Sequence, residues 1–544
     1  MAKKESKKNV RSSAGSGTSA KYNKNVIPFD DNPLIAKYFW LVIPLFTLIY
    51  FISSKYSLGF YQDDEVGQYI NMLSFWSDPF VILGNSPKPG YKIFMVIPAL
   101  FSYSAVLIVN AFIASLAVYY TYILLKVCKI NYAYFGALLL SVQPLFFDLS
   151  FRSYAEIFTS LLILFVLILY KKESYSLSAL LCGYIFTVRQ EVAVIILIFA
   201  VIYFRKKVYL PIILLAVFPL IYDLLGFLKT GDIMFVLTEI MSLSVYSYKT
   251  QGISHYLLVY IFIVGPVTLL LFFFGFFGFL SDTDKIKEYL MKYGIFYLIF
   301  TSIFFVQLMT MFSDGANPGN WRYLLHISPI AALFATVGLN NLAMPSFKKS
   351  SYILTGILAF ITLAFLSKDT NGFILLETSE YSKFFVIAIS FLIILLIKKE
   401  PAVEYLNKVS AVLLMIAIVY LMISFTPKVL STENVALKET SEYLNTLDLK
   451  DKEILYNHTF IPFYSDELYR ESPEKFKRLI LENLKDIKPG TIIVWDSHYS
   501  YRPKDMLNDV QLETLEKDST YKLLNKIVSS DQRFGAFIFE KSNQ

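Results

Sequence analysis

Residues 151–172 read F-R-S-Y-A-E-I-F-T-S-L-L-I-L-F-V-L-I-L-Y-K-K, with an arginine at one end, two lysines at the other and a predominantly apolar run between them. From Ala155 to Tyr170 there is too little polar surface to turn a helix face toward water, so the run suits a membrane span. Lys171 and Lys172 mark its cytoplasmic end, because short cytoplasmic loops collect lysine. Working outward at ~20 residues per span gives about thirteen such runs, near 38–54, 104–125, 132–149, 155–170, 175–188, 191–204, 208–228, 256–280, 293–312, 323–343, 352–367, 383–397 and 409–426. Lysines at 126 and 129, 206 and 207, 285 to 292, 348 and 349, and 398 to 408 fall in alternate loops together with the basic tail. This places the N-terminus in the cytoplasm and, with an odd number of spans, everything after residue 426 outside.

Composition agrees. Of 544 residues 56% are hydrophobic, 17% aromatic and only 17% charged, which excludes a disordered chain, a collagen-like repeat and an ordinary cytosolic enzyme. The net charge of +7 is spent at membrane borders and does not indicate nucleic acid. Cys128 and Cys182 cannot make a disulfide framework, and no His or Cys spacing suggests a zinc site. Residues 1–37 read as a disordered basic cytoplasmic tail, 38–426 as a multi-span membrane domain with an outer loop at 55–92, and 427–544 as an outer α/β domain. In that last segment 17 basic residues face 20 acidic ones, and E-I-L-Y, T-I-I-V-W, Y-K-L-L-N-K-I-V and G-A-F-I-F alternate with helical patterns at 433–446, 473–486 and 508–518. Asp496 and His498 end one predicted strand in a simple turn, and Asn457 opens a glycosylation sequon.

Arginine departs from the lysine pattern. Between residues 38 and 426 only Arg152, Arg189, Arg205 and Arg322 occur, and all but Arg205 fall at outer ends of spans. A guanidinium suits fixed recognition of phosphate or carboxylate, whereas snorkelling is the structural alternative. Acids cluster beside them. The first outer loop holds Asp63, Asp64 and Glu65, followed by a pattern fitting an interfacial helix that turns Val66, Ile70, Leu73 and Trp76 to lipid. Capping by Asp63 or Asp64 and general-base chemistry are both open to this triplet. Arg152 and Glu156 stand four apart and so can pair on one helix face, with Asp148 one turn earlier. V-R-Q-E at 188–191 needs a re-entrant turn or a wet cavity, because hydrocarbon would cost its charges several kcal/mol. S-D-G-A-N-P-G-N-W-R-Y-L-L-H at 313–326 is a loop ending on Arg322 and His326, and the apolar 233–256 segment fits a lid or a lipid contact.

This order of elements resembles the membrane-embedded C-fold glycosyltransferases (GT-C), which use polyprenyl- or dolichyl-phosphate-linked sugars. D-E-V-G-Q at 64–68 is similar to the P-D-E-x-x-Q segment of their α-mannosyltransferase branch, and R-Y-L-L-H-I-S-P at 322–329 to its R-F-L-x-P-x-x-P stretch. Gly319, Asn320 and Trp321 stand where that branch often has H-K-E. The resemblance covers roughly 38–345 and implies an inverting hexosyltransferase, mannose-like in its sugar, in a bacterial plasma membrane. It implies Asp64 as general base with Asp63 or Glu65 as fallback, and Arg322 and Arg189 on the donor phosphate. Arg152, Glu156, Glu191, Gln68 and His326 would take supporting or acceptor roles, no metal would be obligatory, and the acceptor would be a glycan, lipid or protein. Two alternatives compete. A transporter or flippase predicts internal pseudo-symmetry, which the two halves lack; a noncatalytic scaffold of the same fold would have no use for intact Asp64 and Arg322.

Overall fold

The computed structural model describes residues 32–83, 88–242, 248–281, 286–343, 356, 382–397, 401–449, 452–502 and 508–542. They form a multi-pass α-helical membrane protein followed by a small α/β domain. Six helices are long and apolar enough to cross a membrane: Pro33–Tyr56, Tyr103–Val127, Tyr209–Thr230, Ile286–Thr310, Trp321–Asn341 and Ala402–Ser424. The opening segment is a helix over Ala155–Lys171.

Two expected spans are broken. Ala133–Ser141 and Pro144–Ser150 meet at 65°, and His255–Val264 and Pro266–Phe276 at 114°. In the second, Gly265 takes φ +82, which ends one helix, and Pro266 starts the next where its missing N–H costs nothing. Counting each bent pair as one span gives up to eight among the described residues. Several other apolar runs form shorter helices, such as Tyr175–Val188 and Ser382–Leu396, and the expected span at 352–367 lies outside the described residues apart from residue 356. An apolar helix at Pro89–Phe101 occupies the end of the expected outer loop and runs beyond it.

The bent segment clamps the helix below Arg322. Pro266–Phe276 packs on Ser328–Asn341 so closely that a Cβ on Gly275 would strike the carbonyl of Phe334, and one on Gly338 that of Leu271. Small residues permit this approach between membrane helices. The 3-10 turn Trp321–Ile327, which carries Arg322 and His326, continues into that immobilised helix.

In the C-terminal domain β1 (Ile454–Tyr456), β2 (Phe476–Arg478) and β3 (Ile492–Asp496) are parallel, and antiparallel β5 (Gly535–Lys541) and β4 (Tyr521–Val528) complete the order β2-β1-β3-β5-β4. The four strand-like runs of the sequence are all strands. Helix Thr432–Leu444 is capped by the Ser431 hydroxyl, which accepts from the Asn434 N–H at 3.1 Å. The expected helix at 473–486 is instead a 3-10 turn, strand β2 and a short helix at Leu481–Lys485, because β1 pairs with Phe476–Arg478. Likewise 508–518 begins as a strand pair and is helical only over Leu512–Lys517.

This domain sits on the helix after the first span, Asp64–Ser74. Arg470 donates to the carbonyls of Leu100 and Ala99 at 2.8 and 3.1 Å and to the Tyr69 hydroxyl at 2.6 Å, and the Ser74 and Tyr469 hydroxyls bond at 2.5 Å. Val66, Ile70 and Leu73 are therefore buried in protein rather than turned to lipid; only Trp76 of the expected apolar face is exposed. The helix has found protein on both sides, Pro89–Phe101 and Phe460–Tyr464.

Candidate active site

Helix Asp64–Ser74 begins where the 3-10 turn Trp321–Ile327 and the start of helix Ala155–Lys171 converge. Asp64, in its first turn, forms an ion pair with Arg322 Nη2. The two are not equivalent. The Asp64 side chain is 48% exposed, whereas that of Arg322 is 2% exposed. Behind Arg322 lies Glu156, at the start of helix Ala155–Lys171, with its Oε1 3.6 Å from Arg322 Nε and 3.3 Å from Arg189 Nη1. Arg189 also pairs with Glu191. Aromatic rings hold the guanidinium groups: Arg322 lies 4.8 Å from the Tyr154 ring centre, and Tyr323 lies 5.1 Å from Arg189 and 5.6 Å from Arg322. Lys88 is buried beside these charges.

The cluster is incompletely satisfied. Among the described residues both Glu156 oxygens, Arg322 Nε and Nη1, and Arg189 Nε are buried without a hydrogen bond. Buried charges so arranged cost free energy unless a further group completes them. Burial raises the Asp64 pKa, but Arg322, Lys88 and Arg189 outweigh it and hold the carboxyl below its ordinary range. Burial, aided by Arg189, pulls Lys88 down to about 8 against the opposing pull of Glu156 and Asp64.

Glu65, one residue on, faces elsewhere. Its carboxylate accepts from the Tyr103 hydroxyl at 2.5 Å and the Tyr61 N–H at 3.2 Å, and stands 3.6 Å from Arg152 Nη1. Arg152 is fully engaged, by Asp148 at 3.2 Å and by the Gly59 carbonyl and Ser57 hydroxyl at 2.8 Å each. The sequence spacing suggested Arg152 paired with Glu156. Residues 151–154 are not helical, however, so i,i+4 geometry is lost and the two side chains join different clusters.

Asp63 has a third environment. It precedes the helix without capping it, and its Oδ2 accepts from the Tyr499 hydroxyl of the C-terminal domain at 2.8 Å. His498, next in sequence to Tyr499, stacks on that ring at 4.1 Å. His498 Nδ1 and His458 Nε2 lie 2.6 and 3.0 Å from the same Glu433 oxygen. Burial raises the Glu433 pKa, but these imidazole bonds dominate and hold it at about 2. The expected turn after β3 is present, with Asp496 accepting from the His498 and Tyr499 N–H groups at 3.0 and 2.6 Å. The fold thus brings together a histidine cluster that sequence spacing does not reveal. The sequon residue Asn457 is tied inward, its amide donating to the Leu479 carbonyl at 2.8 Å.

Among the described residues Gln68 is buried with neither amide atom bonded, and His326 is wholly buried with neither ring nitrogen bonded. Sequence reading passed over Lys88, Lys92, Tyr154 and Tyr323. Lys88 and Lys92 carried a usable signal, two lysines one helical turn apart where outer loops are otherwise poor in lysine; Lys92 is wholly buried and its Nζ has no partner among the described residues. The tyrosines carried none among 39. Gln62 Nε2 donates to Asn320 Oδ1 at 2.7 Å, joining the segment before helix Asp64–Ser74 to the Arg322 loop. Tyr256 donates to the Asn320 carbonyl at 3.3 Å; from the next residue an apolar cavity of about 530 Å³ runs along the span, lined by Leu257, Tyr260, Phe272, Phe276, Phe300 and Phe304.

No protein-family model and no curated protein sequence matches the chain. Solved structures do. The crystal structure of ArnT from Cupriavidus metallidurans bound to undecaprenyl phosphate superposes with a TM-score of 0.54 at 11% identity, over 94% of this chain and 99% of that one. The apo form of ArnT gives a TM-score of 0.56, again at 11% identity, over 93% and 98%. Identity this low makes the likeness one of fold, and the fold is of the GT-C type: apolar candidate membrane helices and a small C-terminal sheet domain.

Proposed function

We propose that the protein is a membrane glycosyltransferase that moves a sugar from a polyprenyl-phosphate-linked donor to an acceptor hydroxyl, with inversion. The observation that carries this reading is the half-exposed Asp64 held against Arg322, a buried arginine whose remaining donors are unfilled, with Arg189 and Lys88 behind it. These three cations suit a lipid phosphate, and the apolar cavity beyond Tyr256 suits its hydrocarbon tail. That ArnT is found with undecaprenyl phosphate supports the same class of lipid here.

In this reaction the acceptor oxygen attacks the anomeric carbon as Asp64 takes its proton, and the bond from that carbon to the phosphate oxygen breaks. The phosphate gains a charge as it leaves. Arg322, Arg189 and Lys88 bind the more highly charged form more tightly and so lower the barrier. A phosphate arriving at Arg322 also competes with Asp64 for that guanidinium, freeing the carboxylate to act as a base. Glu156 sets the spacing of the two arginines, and Tyr154 and Tyr323 fix their planes. Asp63 and Glu65 have other partners, so Asp64 is the base of choice. Gln68, His326 and Glu191 supply the remaining polar contacts, and Arg152 steadies the loop. The motif resemblances at 64–68 and 322–329 favour a hexose, mannose-like. The lysine distribution favours a cytoplasmic N-terminus, with the site and the C-terminal domain on the outer face of a bacterial plasma membrane.

The test is transfer of radiolabelled sugar from a panel of polyprenyl-phosphate sugars, in membranes holding matched amounts of wild type, Asp64→Asn or Arg322→Ala. Wild type transfers from one donor, Asp64→Asn does not, and excess donor partly rescues Arg322→Ala. Equal transfer by all three would sink the site assignment.

A further inference from the structure

Asp63, His458 and His498 lie where the C-terminal domain meets the first outer loop, and each can bring one ligand atom within 4.8 Å of those of the other two. Glu433 stands outside this triangle and decides which nitrogen of each ring carries hydrogen. An ionised carboxylate only accepts, so the nitrogens facing it, His458 Nε2 at 3.0 Å and His498 Nδ1 at 2.6 Å, must both carry hydrogen. In neutral imidazoles the lone pairs then fall on His458 Nδ1 and His498 Nε2. His458 Nδ1 accepts the Phe460 N–H at 3.3 Å, which agrees with that tautomer and is a long bond that an ion can displace. A carboxylate holding the far N–H of a ligating histidine is the usual outer support of a metal site. On Asp63, Tyr499 engages Oδ2 and leaves Oδ1.

We propose that Asp63, His458 and His498 bind one divalent transition ion of the zinc class, with Glu433 orienting both imidazoles from behind. Two nitrogens and one carboxylate oxygen form a ligand set suited to zinc, and water fills the fourth position. Zinc–ligand distances of about 2.0–2.1 Å put tetrahedral ligands roughly 3.3 Å apart, so a triangle whose ligand atoms lie within 4.8 Å of one another contracts to hold the ion. Asp63 and His498 are only partly buried and can supply that movement, while wholly buried His458 anchors it. The bound ion ties the residue before Asp64 to the C-terminal domain. It serves as a clamp and lies outside the transfer step, so its test needs no turnover.

The full-length protein in detergent is stripped with a mild chelator and titrated with Zn²⁺ against a chromophoric competitor, and bound metal is counted after gel filtration. Wild type is expected to hold one equivalent. Asp63→Asn and His498→Ala should each lower affinity at least 100-fold while eluting as wild type does; Glu433→Gln should keep the stoichiometry and lose about 10–100-fold in affinity. Co²⁺ in place of zinc should give tetrahedral d–d absorption that His498→Ala abolishes. Because His498 is partly exposed, its alanine variant separates loss of a ligand from loss of folding. Wild type binding under 0.1 equivalent at micromolar Zn²⁺, or equal binding by wild type and both ligand variants, overturns the proposal.

Discussion

Asp64 and Glu65 are consecutive residues in one helical turn, yet they belong to ion clusters of opposite character. Glu65 enters a closed set in which Tyr103, the Tyr61 N–H and Arg152 use its oxygens, while Asp148, Ser57 and Gly59 complete Arg152. Asp64 enters an open one, where Arg322, Arg189 and Glu156 keep buried atoms without hydrogen bonds among the described residues. A satisfied buried network fixes structure, whereas an unsatisfied one stores affinity for a missing group. Burial is nearly the same in the two, since Arg152 and Arg322 are both almost wholly covered. What separates Arg152 from Arg322 is the inventory of filled donors.

The largest effect that would break this contrast is on turnover. Asp64→Asn keeps the size of the side chain and removes the base, so sugar transfer should fall about 10²–10⁴-fold. Glu65→Gln should spare the rate and lower stability. If the two variants lost rate equally, both acids would belong to one working unit. Arg322→Ala should follow, with kcat down about 10²–10³-fold as one anion donor is lost. Steady-state kinetics on purified protein separates the cases.

Stability should rank the clusters the other way. Arg152→Met strands the buried Glu65 carboxylate without its cation and should cost about 3–5 kcal/mol. Arg322→Met should cost less, because Glu156 keeps Arg189 at 3.3 Å and Asp64 still reaches water. Thermal unfolding in detergent, followed on both variants, checks the order; a larger loss in Arg322→Met would reverse the assignment.

The sequence made the charges legible and left their pairing obscure. Apolar runs between arginine-marked and lysine-marked ends revealed the membrane fold, and four apolar runs after residue 452 revealed four of the five strands in the C-terminal domain's main sheet. Arg189 and Arg322 stood out because charges at span ends are expensive there, and Asp64 through the likeness of D-E-V-G-Q to the P-D-E-x-x-Q segment. Pairing is another matter: Arg152 with Glu65 and Arg322 with Asp64 span 87 and 258 positions. Local spacing, which suggested Arg152 with Glu156, cannot encode such distances. Lipid-facing Val66, Ile70 and Leu73 were misread for a related reason. An amphipathic helix says that one face must be covered, and here the cover is the C-terminal domain and helix Pro89–Phe101. His458 and His498 meet only because β1 and β3 are neighbouring parallel strands, a pairing set by the sheet.

The smallest effect concerns Lys88 and sharpens the contrast from the cation's side. Burial first, then repulsion from Arg189, lowers its pKa to about 8, while Glu156 and Asp64 pull the other way. A lysine loses its charge as pH rises through its pKa, so the cationic form prevails below about pH 8 and drains away above it. If that charge helps hold the donor phosphate, kcat/KM, which reports groups of the free enzyme, should fall up to tenfold per pH unit on the alkaline side. The acid limb lies elsewhere: Asp64, held down by Arg322, stays ionised until the pH drops below the ordinary carboxylate range. Lys88→Arg is the informative variant, because a guanidinium stays charged throughout and should erase the alkaline limb. Lys88→Met should be uniformly slow, with no limb of its own. An unchanged limb in Lys88→Arg would move the titration to another group and leave Arg322 and Arg189 as the phosphate's only cations.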